Sequence, residues 1–332
     1  MPESNIGIIG AGSIATALAK ILGERGYSVT MWARREEVIR SINEDKENAD
    51  YFPGIKLPSN VRATASLEEC TKSDVLFLSV PSHAIGEICT AIRNLIGNSN
   101  PIIVSVAKGI NYPPFKRLSE LIREILGEDI KLAIMSGPNF ASEIVRGLLS
   151  GTTIASDDRN VLKTLKSLLH SENFIVQTSD DVIGVELSGS LKNVYAIAMG
   201  ILDAIGINEN AYYFILTEAF REMKDIITRL GGRVETLFLS SGFGDLCLTS
   251  NSDKSRNRVL GFIAGKEMLG NTDTSSVILE GIKSVRAFFD LTNRWMMKFP
   301  VLEFVYNVVI LRQRPYKEFL KLWKQIKEMY DD

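Results

Sequence analysis

The hydrophobic rhythm of the chain changes near residue 181. Before that point short continuous apolar runs alternate with stretches of helical period. Runs at 5–10, 28–33, 61–65, 74–80, 102–107, 131–136 and 152–156 predict strands, with helices expected at 14–25, 36–44, 84–96, 115–126 and 159–170. Strands apolar on both sides, alternating with helices, predict a mainly parallel sheet covered on both faces. Beyond the break the strand pattern stops, and helices are expected at 182–206, 209–231, 255–268, 276–292, 299–312 and 316–330. At 332 residues the chain exceeds the size of a single core, so the pattern predicts two domains, an α/β one over 1–181 and an all-helical one over 182–332.

Composition narrows the function classes. A net charge of −2, with 45% hydrophobic and 23% charged residues, is that of a globular protein with no basic face for nucleic acid or an anionic membrane. A small-molecule partner is therefore expected. Three cysteines at unrelated spacings and two histidines exclude a disulfide framework and a zinc pattern, and fit a reducing cytoplasm. MPESNIGIIGAG passes from polar residues straight into a strand, so no signal peptide is expected. The long apolar stretch 184–203 is interrupted by Glu186, Lys192, Asn193 and Asp203, which predicts a buried helix rather than a membrane span.

That stretch also places an ammonium on an apolar helix. On a helical projection Lys192 shares a face with Val185, Ser188, Gly189, Ala196 and Met199, while Leu187, Val194, Ile197 and Ile201 lie opposite. Taken alone, a lysine there packs its stem on apolar neighbours and sends its amine to water. The small residues beside it admit a second reading, an amine reaching into a ligand cavity.

Gly10-Ala11-Gly12-Ser13-Ile14-Ala15 follows the first strand and opens the first helix. Glycines there permit a tight turn and close approach of backbone to a pyrophosphate, which the free N–H groups of the helix start receive. The third glycine position is Ala15, small enough for helix-on-strand packing. These features predict a dinucleotide-binding Rossmann domain. The end of the second strand reads Ala33-Arg34-Arg35 and carries no acid for a ribose 2′-hydroxyl; two guanidiniums suit a 2′-phosphate, so NAD or NADP is the expected cofactor.

Further turns fall at strand ends, where open α/β sheets bind ligands: Val80-Pro81-Ser82, Ala107-Lys108-Gly109 and Ser136-Gly137-Pro138-Asn139. In the helical half, Gly242-Phe243-Gly244-Asp245 brings a carboxylate into an apolar segment. Ser255-Arg256-Asn257-Arg258 starts a helix with arginines, which oppose the helix dipole unless an anion binds there.

Together with YFPGIKLP at 51–58, SGPNFASE at 136–143, DVIGVELSGSLKNVYAIAMGI at 181–201, GFGDLCLT at 242–249, SRNR at 255–258 and LEG at 279–281, these motifs resemble the bacterial-type NAD(P)-dependent sn-glycerol-3-phosphate dehydrogenases, in the family's order across most of the chain. The resemblance implies a second domain of the all-α, 6-phosphogluconate-dehydrogenase-like type. It also implies interconversion of dihydroxyacetone phosphate and glycerol 3-phosphate, supplying phospholipid synthesis. Lys192 is then the proton donor, Asp245 its charge partner and Lys108 a second catalytic cation. Gly137, Asn139, Asn193, Thr249, Ser255, Arg256 and Asn257 complete the expected substrate set. Gly10, Gly12, Ser13, Ile14, Ala15, Arg34, Arg35, Lys108, Ala141, Arg256, Leu279 and Glu280 are the expected cofactor contacts, and no metal ligand is expected.

The chain departs from the family at Ile14, where tryptophan is usual, and at Asn139, where serine or threonine is usual. It also departs at Tyr212 and Glu218, which replace two cations. Two other readings stay open beside the dehydrogenase: a same-fold reductase of another small keto or hydroxy compound, and a dinucleotide-binding protein without turnover. A homodimer through the helical domain is an open expectation, with no stripe of residues to locate it.

Overall fold

A computed structural model describes residues 4–97, 99–269 and 276–331, the side chains of 276–279 excepted. By contact the chain forms two compact units, one of Met1–Lys108 with Leu118–Glu186 and one of Gly109–Arg117 with Leu187–Asp332.

The first unit is built on β1 (Asn5–Ile9), β2 (Ser28–Trp32), β3 (Val61–Thr64), β4 (Val75–Leu78) and β5 (Ile102–Ser105). A two-residue pair, β6 (Ile110–Asn111) and β7 (Lys116–Arg117), belongs to the second unit, and β8 (Leu132–Ser136), β9 (Ser150–Ala155) and β10 (Phe174–Ser179) return to the first. The sheet runs in the order β10-β9-β8-β5-β4-β1-β2-β3, parallel except where β9 meets β8 antiparallel. Its helices are α1 (Ser13–Glu24), α2 (Glu36–Arg40), α3 (Leu67–Thr71), α4 (Ile85–Ile96), α5 (Leu118–Leu126), α6 (Ala141–Ile144) and α7 (Arg159–Leu169).

The continuous apolar runs become strands because both sheet faces are covered. Ile6, Ile8, Phe77 and Val104 pack with Leu18, Leu22 and Leu165 of α1 and α7 on one face. Ile9, Leu76, Leu78 and Ile103 pack with Ile85, Ile92 and Ile122 of α4 and α5 on the other. Each such fully buried side chain contributes about 1.5–3 kcal/mol. The expected doubly wound sheet is thus present, with one strand more than the apolar pattern announces. In β10, Phe174 and Val176 are buried while Ile175, Gln177 and Thr178 are exposed, the alternation of an edge strand. The helix expected from 115 begins at 118 instead, because 116–117 pair with 110–111.

The second unit holds most of α8 (Val182–Ala204), then α9 (Glu209–Arg229), α10 (Asp245–Asn251), α11 (Arg256–Gly265), α12 (Ser276–Thr292), α13 (Pro300–Val309) and α14 (Pro315–Glu328). Residues 184–202 of α8 are all buried, so neither of its faces is solvated. Among the described residues no helix is long and apolar enough to cross a membrane.

Candidate active site

In the sheet unit the turn from β1 to α1 has the conformation its glycines predict. Gly10 has φ +119°, and a Cβ there would lie 2.4 Å from the carbonyl oxygen of Ser79, just past β4. Gly12 caps α1 without a side-chain hydrogen bond, and a Cβ built on it meets nothing within 4 Å. An uncapped helix start with open space beside it and no acidic residue in its first turn fits a dinucleotide pyrophosphate. Ser13 and Ile14 are half-buried there and Ala15 is buried.

The turn is held by a residue that sequence reasoning missed. Asn48, fully buried, donates Nδ2 to the Ala11 carbonyl at 2.9 Å and to Thr16 Oγ1 at 2.8 Å. Thr16 Oγ1 in turn donates to the Gly12 carbonyl at 2.9 Å. Arg34 and Arg35, past the end of β2, are both exposed, yet they are not equivalent. Arg35 is ion-paired with Asp50, whereas Arg34 makes no ion pair among the described residues.

Adjacent strands bring a second group together. Lys108 lies three residues past β5 and Asn139 three residues past β8, its neighbour in the sheet; Lys108 Nζ donates to Asn139 Oδ1 at 2.6 Å. The amide that replaces the family's hydroxyl is therefore a direct partner of the cation. Gly137 is buried in the same loop, and half-buried Ala141 opens α6.

In the helical unit Lys192 is 4% exposed, so its amine turns inward and is nearly withdrawn from water. Its Nζ lies 2.5 Å from Asp245 Oδ1 and donates to Thr249 Oγ1 at 2.9 Å. Asp245 and Thr249 stand one turn apart on α10, so one helix face carries both. Asp245 opens that helix, where the backbone dipoles favour its negative charge. Asn193 is buried next to Lys192 in sequence.

Helix α11 crosses α8 at glycines. A Cβ on Gly200 would lie 2.0 Å from the Arg258 carbonyl oxygen, and one on Gly261 would lie 2.0 Å from that of Ile197. Only glycines allow this approach, which sets the start of α11 against the helix of Lys192. Ser255 caps α11 by accepting from the Arg258 amide at 3.2 Å. Arg258 is committed to Asp203 and Asp253. Arg256 is exposed and makes no ion pair among the described residues. Asn257 Oδ1 and the hydroxyl of fully buried Ser188, one turn before Lys192, lack hydrogen-bond partners among the described residues. Glu280 is half-buried on α12, and the side chain of Leu279 lies outside the described ones.

These motifs coincide with known families. The N-terminal model of NAD-dependent glycerol-3-phosphate dehydrogenase matches residues 5–162 and the C-terminal model matches 181–320. The chain belongs to this family. It is 42% identical over 307 residues to the glycerol-3-phosphate dehydrogenase (NAD(P)+) of Methanothermobacter thermautotrophicus, covering 91% of this chain and 92% of that one. It is 37% identical over 312 residues to that of Clostridium tetani, covering 93% and 89%. Among solved structures, the glycerol-3-phosphate dehydrogenase of Coxiella burnetii superposes with a TM-score of 0.87 at 29% identity, covering 97% of this chain and 99% of that one.

Within the family, two departures acquire a physical account. Glu218, 2% exposed, accepts from Arg221 Nε at 2.9 Å, Arg221 Nη2 at 2.6 Å and the Tyr330 hydroxyl at 2.6 Å. Its charge is balanced locally. The Tyr212 hydroxyl lies 3.1 Å from the Ser250 carbonyl oxygen and 3.2 Å from Asn251 Oδ1, at the end of the helix that carries Asp245. Nothing in the structure explains Ile14.

Proposed function

We propose that this protein interconverts dihydroxyacetone phosphate and sn-glycerol 3-phosphate, with NAD(H) or NADP(H) as redox partner. The buried Lys192, Asp245 and Thr249 group carries the reading, because an ammonium held dry beside a carboxylate is built to give a proton to a developing alkoxide. When bound, NAD(P)H supplies the hydride to the keto carbon. Lys192 Nζ gives its proton to the oxygen on that carbon, leaving a neutral amine that recovers a proton from water. In the reverse direction the amine takes the hydroxyl proton. Asp245 aims the ammonium and balances its charge, and Thr249 fixes its position.

Lys108, oriented by Asn139, is a second cation facing substrate and cofactor, with Gly137 and Asn193 lining the substrate. Ser255, Arg256 and Asn257 at the start of α11 hold the substrate phosphate, where an anion also relieves the conflict between arginine and helix dipole. The pyrophosphate sits on Gly10, Gly12 and Ser13, with Ile14, Ala15, Arg34, Arg35, Ala141, Leu279 and Glu280 as further cofactor contacts. Residues 1–181 act as the dinucleotide domain and 182–332 as the substrate domain. The protein works in the cytoplasm as a homodimer, supplying glycerol 3-phosphate for phospholipid synthesis.

The test is loss of NADH and NADPH absorbance with dihydroxyacetone phosphate. Turnover is expected with both. Cofactor binding without turnover would leave a dinucleotide-binding protein, and turnover of non-phosphorylated ketones alone would make it a different reductase.

A further inference from the structure

We propose that Asp50 sets the discrimination between NADP(H) and NAD(H) by holding Arg35 away from a 2′-phosphate. This rests on the dinucleotide reading above. Guanidiniums after the second strand are the groups that recognise a 2′-phosphate, and here that place holds Arg34 and Arg35. The structure divides them. Arg35 Nη2 is paired with Asp50 Oδ2, while Arg34 stays uncommitted among the described residues.

Asp50 is placed by the fold rather than by a loose surface chain. It stands two residues past Asn48, which is 1% exposed and anchored to Ala11 and Thr16 in the glycine-rich turn. The amides of Tyr51 and Phe52 bond back to the Asn48 carbonyl at 3.1 and 2.8 Å, closing a turn around Asp50. One short segment therefore holds the pyrophosphate turn through Asn48 and the arginine through Asp50.

The charge balance points the same way. Past the end of β2, Arg34, Arg35 and Arg40 stand with the exposed carboxylates of Glu36, Glu37 and Asp50, so no excess of positive charge is left for a phosphate. A dianionic phosphate must draw Arg35 from a carboxylate that repels it. NAD(H), with a neutral 2′-hydroxyl, needs no such exchange. Asp50 thus brings to the end of β2, from fifteen residues along the chain, the carboxylate that Ala33-Arg34-Arg35 lacks.

The experiment compares adenosine 2′,5′-bisphosphate with AMP, ligands that differ only in the 2′-phosphate, by titration calorimetry at fixed ionic strength. Asp50→Asn should raise the bisphosphate-to-AMP affinity ratio about three- to tenfold, the range for releasing an exposed ion pair to a charge-assisted bond. Arg34→Gln should lower the ratio. In an Arg35→Gln background the gain from Asp50→Asn should shrink by about half or more, because no guanidinium is left to release. An unchanged ratio in Asp50→Asn, or the same gain with and without Arg35, overturns the proposal while AMP binding leaves the dinucleotide reading standing. If neither nucleotide binds the wild type, both fall.

Discussion

Asp245 and Glu222 are carboxylates buried to the same degree, 1% exposed, in the same helical unit. Both take a partner from α8, and the partners, Lys192 and Tyr195, stand three residues apart. Asp245 meets an ammonium. Glu222 meets neutral donors: the Val301 amide at 2.7 Å, the Leu302 amide at 3.0 Å and the Tyr195 hydroxyl at 3.1 Å. Burial pushes the Glu222 carboxyl up to about 8, against the pull of those hydrogen bonds. The difference teaches that burial alone does not give a carboxylate its role. Paired with a cation, Asp245 holds an ammonium in place, the proton source of the reaction proposed above. Paired with two amides in the first turn of α13, Glu222 caps that helix and staples α8, α9 and α13 together.

The largest effect is expected from breaking the charged pair. Lys192→Met should lower kcat about a thousandfold, the scale of a lost general acid. It also leaves Asp245 buried and unpaired, a cost of about 3–5 kcal/mol, so unfolding must be followed beside turnover. In Lys192→Met/Asp245→Asn the unpaired charge is gone, so stability should recover while activity does not. Recovery of turnover in the double variant would show that Lys192 holds the fold and nothing more. Asp245→Asn alone keeps the Thr249 bond and should lower kcat about ten- to hundredfold, through an ammonium less well aimed. A loss confined to KM would separate Asp245 from the proton transfer.

What was legible in the sequence follows the range of the interactions. The sheet was readable because Val75–Leu78 and residues 132–135 are buried along their whole length and are apolar throughout. The glycine turn was readable because Gly10 and Gly12 answer to local geometry. Lys192, Asp245 and Thr249, placed in the site by the family resemblance, lie in contact with one another in the structure. Long-range ties left no local trace. Asn48 serves a turn 37 residues away, and Glu222 caps a helix 79 residues away; an asparagine in a loop and a glutamate in an amphipathic helix carry no periodic signature. The β6–β7 pair escaped for a different reason, since two residues per strand are too few to show alternation. Glu218 looked like a reversed charge near the site, but Arg221, three residues on, balances it, and the Tyr330 hydroxyl, 112 residues on, adds a long-range bond.

Glu222 offers smaller effects that mark the limits of the comparison. Its folded value of about 8 lies above the usual 4.5, so the folded chain keeps a proton that the unfolded chain has lost between those values. Its contribution to stability is therefore full below about pH 4.5 and is lost as pH rises through about 8. Glu222→Gln cannot titrate, and urea unfolding between these limits should show a flatter pH dependence than the wild type. Its amide group also faces one of the two α13 amides, so stability in mild acid should fall by about 1–3 kcal/mol. An unaltered pH slope would mean that Glu222 stays ionised and behaves like Asp245 without its cation. Tyr195→Phe is the mildest of the set. It removes one hydrogen bond to Glu222 and should cost about 1 kcal/mol, with turnover kept within about twofold because the ring still fills its place on α8. A large loss of turnover instead would tie the staple to Lys192, the proposed proton donor one turn away, and the two carboxylates would then be parts of one device.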